Sequence, residues 1–174
     1  SAGLNPIKTN TVLIRGYNDT AVCDLVEFGR QRGLTVRFIE YMAANDKGRK
    51  SRCVPAAEVL SRLDESFGLT EHYDVGEVAG TSGPARYFGL RGGGVVGIIA
   101  PVTAPFCQRC NRLRLTARGR LRPCLFSEQE VDVVPALCRS DGGRGVEQAL
   151  ELAMSMKPRR RGTRLPRAMR KIGG

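Results

Sequence analysis

The chain has 174 residues, 41% of them apolar, and a formal net charge of +11; that is enough for one domain with a real core or two small ones. No apolar run approaches the length of a membrane span, and six unevenly spaced cysteines argue for reduced thiols rather than a disulfide scaffold. Arginine supplies 23 of the 28 basic residues, which suits a polyanionic partner, but 6% aromatics without tryptophan leave little with which to stack single-stranded nucleic acid.

Ser1-Ala2-Gly3 leads into the first strand without a signal-peptide pattern; with the reduced thiols, a cytoplasmic location is the expectation, and a mitochondrial one is kept for a eukaryotic source. Ile7 to Ile14 predicts that strand, with Lys8 and Asn10 on the same face as Val12 and Ile14. Asn18-Asp19-Thr20 offers helix N-caps, and Ala21 to Gln31 carries Val22, Leu25, Val26 and Phe28 at helical spacing. Gly33 stands where a helix ends, and Leu34 to Met42 reads as a second strand. Strand, helix, strand in about 35 residues is a βαβ unit with parallel strands, hence an α/β fold. Ligands gather at the carboxyl ends of such strands, which singles out Glu40, Tyr41 and Met42. Arg37 is a charge inside an apolar strand and needs a partner; Glu40 is the nearest acid.

Ala43 to Arg52 is loop-like, and Ala56 to Phe67 predicts a helix with Val59, Leu60 and Leu63 on one face. Val75 to Ala85 reads as connection. Arg86 to Leu90 and Val95 to Ile99 read as a hairpin turned by Arg91-Gly92-Gly93-Gly94; that glycine run lacks the strand–GxxxxGK–helix context of a phosphate-binding loop. Val131 to Arg139 and Gly145 to Met156 predict two helices. Structural burial is expected for Cys23, Cys53 and Cys138, and Lys157 to Arg170 reads as a solvated basic run.

The most informative stretch is FCQRCNRLRLTARGRLRPCLF, Phe106 to Phe126, with Cys107, Cys110 and Cys124 spaced C-x2-C-x13-C. Arg112 and Arg114 alternate with Leu113 and Leu115, Arg118-Gly119 signals a turn, and Arg120, Leu121 and Arg122 resume the alternation. A hairpin would return Cys124 towards the other two cysteines, with one apolar and one guanidinium face. Closed structural zinc sites want four ligands; a cubane 4Fe–4S cluster works with three cysteines and leaves one iron open. A row of arginines beside an open iron would suit an anionic ligand. A zinc ribbon completed by Cys138 or by another chain, and a plain hairpin with buried cysteines, are the other two readings.

The run CxxCNRLRLTA-x-G-x-LRPCLF resembles the C-terminal cluster segment of the MoaA family, radical S-adenosylmethionine enzymes that begin molybdenum cofactor synthesis by cyclising GTP. KTNTVLIRGYND, VRFIEYM and the terminal Ile172-Gly173-Gly174 fit the same resemblance. It implies a 4Fe–4S cluster on Cys107, Cys110 and Cys124, its open iron offered to guanine, with Asn111, Arg112, Leu113 and Arg114 at the GTP. It further implies that Lys8 contacts the GTP phosphates, that Arg37 lies near S-adenosylmethionine and substrate, that Met42 helps hold S-adenosylmethionine, and that Gly173-Gly174 reaches the active site. The family's fold implies the last units of an incomplete (β/α) barrel over residues 1–68, then an α+β auxiliary-cluster region over residues 69–174.

The chain departs from the family in lacking the tryptophan after FIEYM and in carrying Arg118 at an otherwise acidic turn. It also lacks the C-x3-C-x2-C loop that holds a first 4Fe–4S cluster. The expectation is therefore a C-terminal, substrate-binding half, inactive alone, whose partners are the N-terminal half of the barrel with its cluster, GTP, a second copy as homodimer, and the downstream pyranopterin monophosphate synthase. A zinc-binding nucleic-acid module and a different radical enzyme with an auxiliary cluster are the alternatives.

Overall fold

The structure, a computed structural model, describes residues 3–4, 6–42, 52–73, 83–139 and 143–160. It is a mixed α/β chain in two compact units, Ser1–Phe106 and Cys107–Gly174. The expected boundary after residue 68 falls elsewhere because the strands that follow it hydrogen-bond into the first unit's sheet. No helix among the described residues is long and apolar enough to cross a membrane.

In the first unit, β1 (Lys8–Leu13) runs through a short turn into α1 (Val22–Arg32) and back into β2 (Thr35–Glu40). The two strands pair in parallel, as the βαβ pattern requires. Gly33 ends α1 in the left-handed region, φ 64°, and its N–H and that of Leu34 take up the helix's last carbonyls. The expected N-caps do not form. Asn18 instead accepts from the Ile14 N–H and donates to the Val12 carbonyl, and Asp19 accepts from the Gly16 N–H, so both hold the turn before the helix.

After α2 (Ala56–Phe67) come β3 (Leu69–Tyr73), β4 (Arg86–Leu90) and β5 (Val95–Ile99). The sheet order is β1-β2-β5-β4-β3: β2 and β5 are parallel, and β4 and β3 add antiparallel. The hairpin β4–β5 turns on the glycine run as expected. One face of the sheet supplies Leu13, Val36, Phe38, Phe88, Val96 and Ile98 to a core closed by Val22 and Val26 of α1 and Val59 and Leu63 of α2. Both helices cover that same face.

Arg15 and Arg62 flank Glu58 on α2, and Arg62 also reaches the Asp19 carbonyl. The hydrogen-bonded Arg15 guanidinium holds the Glu58 carboxyl below the usual range. A lowered folded-state pKa stabilises the native form above the ordinary glutamate value of about 4.3, and that contribution is lost as pH falls through the lowered value. Glu58→Gln is expected to flatten this acid-side loss at small cost near neutrality, because the pair is partly exposed. Urea midpoints followed from neutral pH to about pH 3 check it.

The second unit is built on β6 (Arg114–Leu115), β7 (Arg120–Arg122) and β8 (Val131–Asp132), antiparallel in that order, followed by α3 (Val134–Leu137) and α4 (Arg144–Ser155). Ala149 and Ala153 of α4 pack on Leu121, Val131 and Val133, with Leu113 and Met156 at the margin. Residues expected to start a helix at Val131 form a strand, because β7 offers it a free edge.

Candidate metal centre and cationic faces

Each arm of the cysteine hairpin is set by local sequence. Cys107–Arg109 is a single 3-10 turn in which the Cys110 N–H bonds the Cys107 carbonyl at 3.2 Å, so the two cysteines lie on one bend. The chain then enters β6, turns at Gly119 and returns along β7 to Pro123 and Cys124. All three cysteines are half-buried. The Phe126 N–H points at Cys124 Sγ, 3.4 Å away, and Lys157 Nζ lies 3.8 Å from Cys110 Sγ. Cys107 and Cys110 line a cavity of about 440 Å³ with Gln108, Lys157, Pro158 and Arg159.

Among the described residues, no three Cys, His, Asp or Glu side chains converge as ligands of a single metal ion. A cubane asks for a different arrangement: each cysteine takes its own iron corner, so the sulfurs ring a volume rather than meet at a point. Soft thiols, N–H donors aimed at sulfur, nearby positive charge and a cavity beside two of the cysteines fit that donor set.

The arginines of the hairpin divide into two kinds. Arg120 pairs with Asp132 at 3.1 Å, and Arg122 with Glu130, on the guanidinium face the alternation predicts. Arg112 and Arg114 have no ionic partner among the described residues. Arg114 stands directly across from Arg122; Glu130 already meets the Arg122 charge, which lessens the cost of opposing two like charges. Asn111 is exposed, and Leu113 is half-buried against the small core. Leu115, expected on the apolar face, is 61% exposed on the edge strand β6. Cys138 is exposed at the end of α3, so it has no structural burial. Cys23 and Cys53 are half-buried, short of the burial expected, and desolvation pushes the Cys53 thiol pKa up.

In the first unit, the sheet face opposite the helices carries Lys8 and Asn10 from β1, Arg37 from β2, Gly97 from β5 and Tyr87 from β4. Asn10, Arg37, Gly97 and Tyr87 form one cross-strand row. Arg37 lies flat along it: a Cβ on Gly97 would stand 2.7 Å from Arg37 Cγ and 3.0 Å from Tyr87 Cε1. Gly97 is thus a close-approach glycine. Arg37 Nε is buried without a hydrogen-bond partner among the described residues.

Glu40 is not the partner of Arg37. It points to the other face and is 4% exposed. Its carboxylate accepts the N–H of Ala56 (2.9 Å), Val102 (2.8 Å) and Thr103 (2.9 Å) and the Thr103 hydroxyl. It thereby caps α2 and ties down the segment that leads to Cys107, roles invisible in sequence because the donors lie far along the chain. Met42 is half-buried just past β2. The expected role of Gly173-Gly174 lies outside the described residues, as do most of the 43–52 loop, the 75–85 connection and the basic run after residue 160.

A model of the family described as Molybdenum Cofactor Synthesis C matches residues 34–163. The chain belongs to the Molybdenum Cofactor Synthesis C family. The match takes in Arg37, the cysteine hairpin and Lys157, and leaves β1 with Lys8 outside. Curated relatives named GTP 3′,8-cyclase extend the similarity to nearly the whole chain. That of Moorella thermoacetica is 40% identical over 180 residues, covering 100% of this chain and 54% of the relative. Those of Pelotomaculum thermopropionicum and Syntrophomonas wolfei are 41% and 39% identical, covering 99% and 98% of this chain and 54% of each relative. This Molybdenum Cofactor Synthesis C chain therefore spans about half the length of the curated relatives it matches.

Proposed function

We propose that the chain is the C-terminal, substrate-binding half of a radical S-adenosylmethionine GTP 3′,8-cyclase, the enzyme that opens molybdenum cofactor synthesis by joining the ribose of GTP to its guanine. The observation that carries this reading is the open end of the hairpin, where three half-buried cysteines adjoin Arg112 and Arg114, two guanidinium groups without an ionic partner among the described residues. Cys107, Cys110 and Cys124 would hold a 4Fe–4S cluster. When bound, that cluster supplies an open iron for the guanine, and S-adenosylmethionine with a cluster on the N-terminal half supplies the radical.

The chain's own residues bind and orient. Arg112 and Arg114 neutralise the triphosphate and hold it bidentately. Lys8 takes phosphate charge on the sheet face it shares with Arg37, whose unpartnered Nε is available to an acceptor on S-adenosylmethionine or substrate; Met42 packs against S-adenosylmethionine. Orientation is the physical gain, because a primary radical is indiscriminate and the pocket must present one hydrogen. The edge strand β1 is where the rest of an incomplete barrel would continue, since an unpaired edge invites a further strand. A second copy of the chain and the pyranopterin monophosphate synthase step belong to the same reading as partners.

Arg112→Ala and Arg114→Ala are each expected to weaken GTP binding by about 1.5–3 kcal/mol, the value of a charge-assisted contact. Anaerobic calorimetry on the full-length protein measures this. Unchanged affinity in both variants would remove the assigned role.

A further inference from the structure

The basic run after α4 reads in sequence as a solvated tail, yet its first residue is tied down. Lys157 Nζ donates to the Arg112 carbonyl at 2.6 Å and to the Pro123 carbonyl at 2.9 Å, and it lies 3.8 Å from Cys110 Sγ. An ammonium has three donors and no acceptor, so these three contacts use its full capacity. No carboxylate pairs with it among the described residues.

The placement of those contacts is specific. β6 and β7 share only the pairs Arg114↔Arg122 and Leu115↔Leu121, and the first sets two guanidinium groups side by side. Beyond that pair the ladder stops, and the strands run on to Cys110 and Cys124. Lys157 takes one carbonyl from each arm: Arg112 lies two residues after Cys110, and Pro123 immediately precedes Cys124. It stands in for the missing rung while leaving the arms apart, as a cubane held between them requires. Its position is fixed by α4, whose Ala149, Ala153 and following Met156 pack on the small core.

We propose that Lys157 is a positioning residue for the cluster site: it sets the separation of the Cys110 and Cys124 arms and donates an N–H···S hydrogen bond to Cys110. The inference rests on the proposed function, since it concerns the cluster assigned there. Positive charge and a donor at a ligating sulfur favour the reduced, more negative state of a cluster and thereby raise its reduction potential.

The test uses the full-length protein that carries this chain, with the first-cluster cysteines of the other half replaced so that one cluster is observed. Wild-type protein without iron and sulfide would sink the proposed function itself, independently of Lys157. With the cluster present, Lys157→Met is expected to lose iron to a chelator on the order of tenfold faster and to show a lower reduction potential, while Lys157→Arg, which keeps donors and charge, moves both back towards wild type. Wild-type retention and potential in Lys157→Met, whatever its unfolding midpoint, would overturn the inference, because Lys157 would then serve the fold alone. Should Lys157→Met not fold, electron–nuclear double resonance on wild type labelled with heavy-nitrogen lysine decides the matter. One lysine nitrogen coupled to the cluster is expected, and no coupling overturns the inference.

Discussion

Cys124→Ala is expected to strip the full-length protein of about four irons and four sulfides per chain relative to wild type after anaerobic reconstitution. The effect is all or nothing for a physical reason. A cubane held by three protein ligands would have two corners without a thiolate once one is lost, and solvent would then reach iron. Cys107→Ala and Cys110→Ala should do the same, although they sit on the other arm of the hairpin. Cys138→Ala should change nothing, because that thiol is exposed at the end of α3. Metal and sulfide analysis of the four variants makes the comparison. One tightly held zinc without sulfide in the wild type, lost equally in Cys138→Ala, would refute the cluster and point to a four-cysteine ribbon.

The second large effect lies away from the cysteines. Glu40→Ala removes an acceptor that serves three backbone N–H groups and one hydroxyl. A donor left without a partner costs about 1–3 kcal/mol where it is buried; Ala56 and Val102 are half-buried and Thr103 is exposed, so a loss of about 2–3 kcal/mol is expected. The same change removes the negative charge at the first turn of α2, where it interacts favourably with the helix dipole. Glu40→Gln should be nearly as damaging, since an amide group brings its own N–H donors against those already there. Equilibrium urea unfolding measures both. A loss below about 1 kcal/mol, the worth of a single ordinary hydrogen bond, would mean that water replaces the carboxylate and that this clamp is not needed. A tolerant result would leave the cluster prediction untouched, so the two experiments are independent.

What was legible in sequence is what periodicity and punctuation encode. β1, α1 and β2 follow from alternating and helical spacing closed by Gly33, and the β4–β5 hairpin from two apolar runs around a glycine turn. The second hairpin was legible from the Arg–Leu alternation and Arg118-Gly119. β3 was not, because Leu69–Tyr73 mixes polar and apolar residues and becomes a strand only because β4 pairs with it. Val131–Asp132 was missed since Val131, Val134 and Leu137 also satisfy a helical period, and the choice is made by contact with β7. At the candidate site, cysteine spacing carries its own signal. Glu40 and Lys157 carry none: their partners are brought to them by the fold, and a lysine opening a basic run looks like any other.

The bare backbone at Gly97 has a thermodynamic consequence for whatever docks on that sheet face. A surface arginine roams among many rotamers and surrenders on the order of 1.5–2 kcal/mol of entropy when a ligand immobilises it. Arg37, whose Cγ and Cδ lie over Gly97, has already given up part of that freedom during folding. An anion docking there would therefore meet a guanidinium already partly ordered, and the ordering cost would fall on the stability of the fold instead of the affinity of the complex.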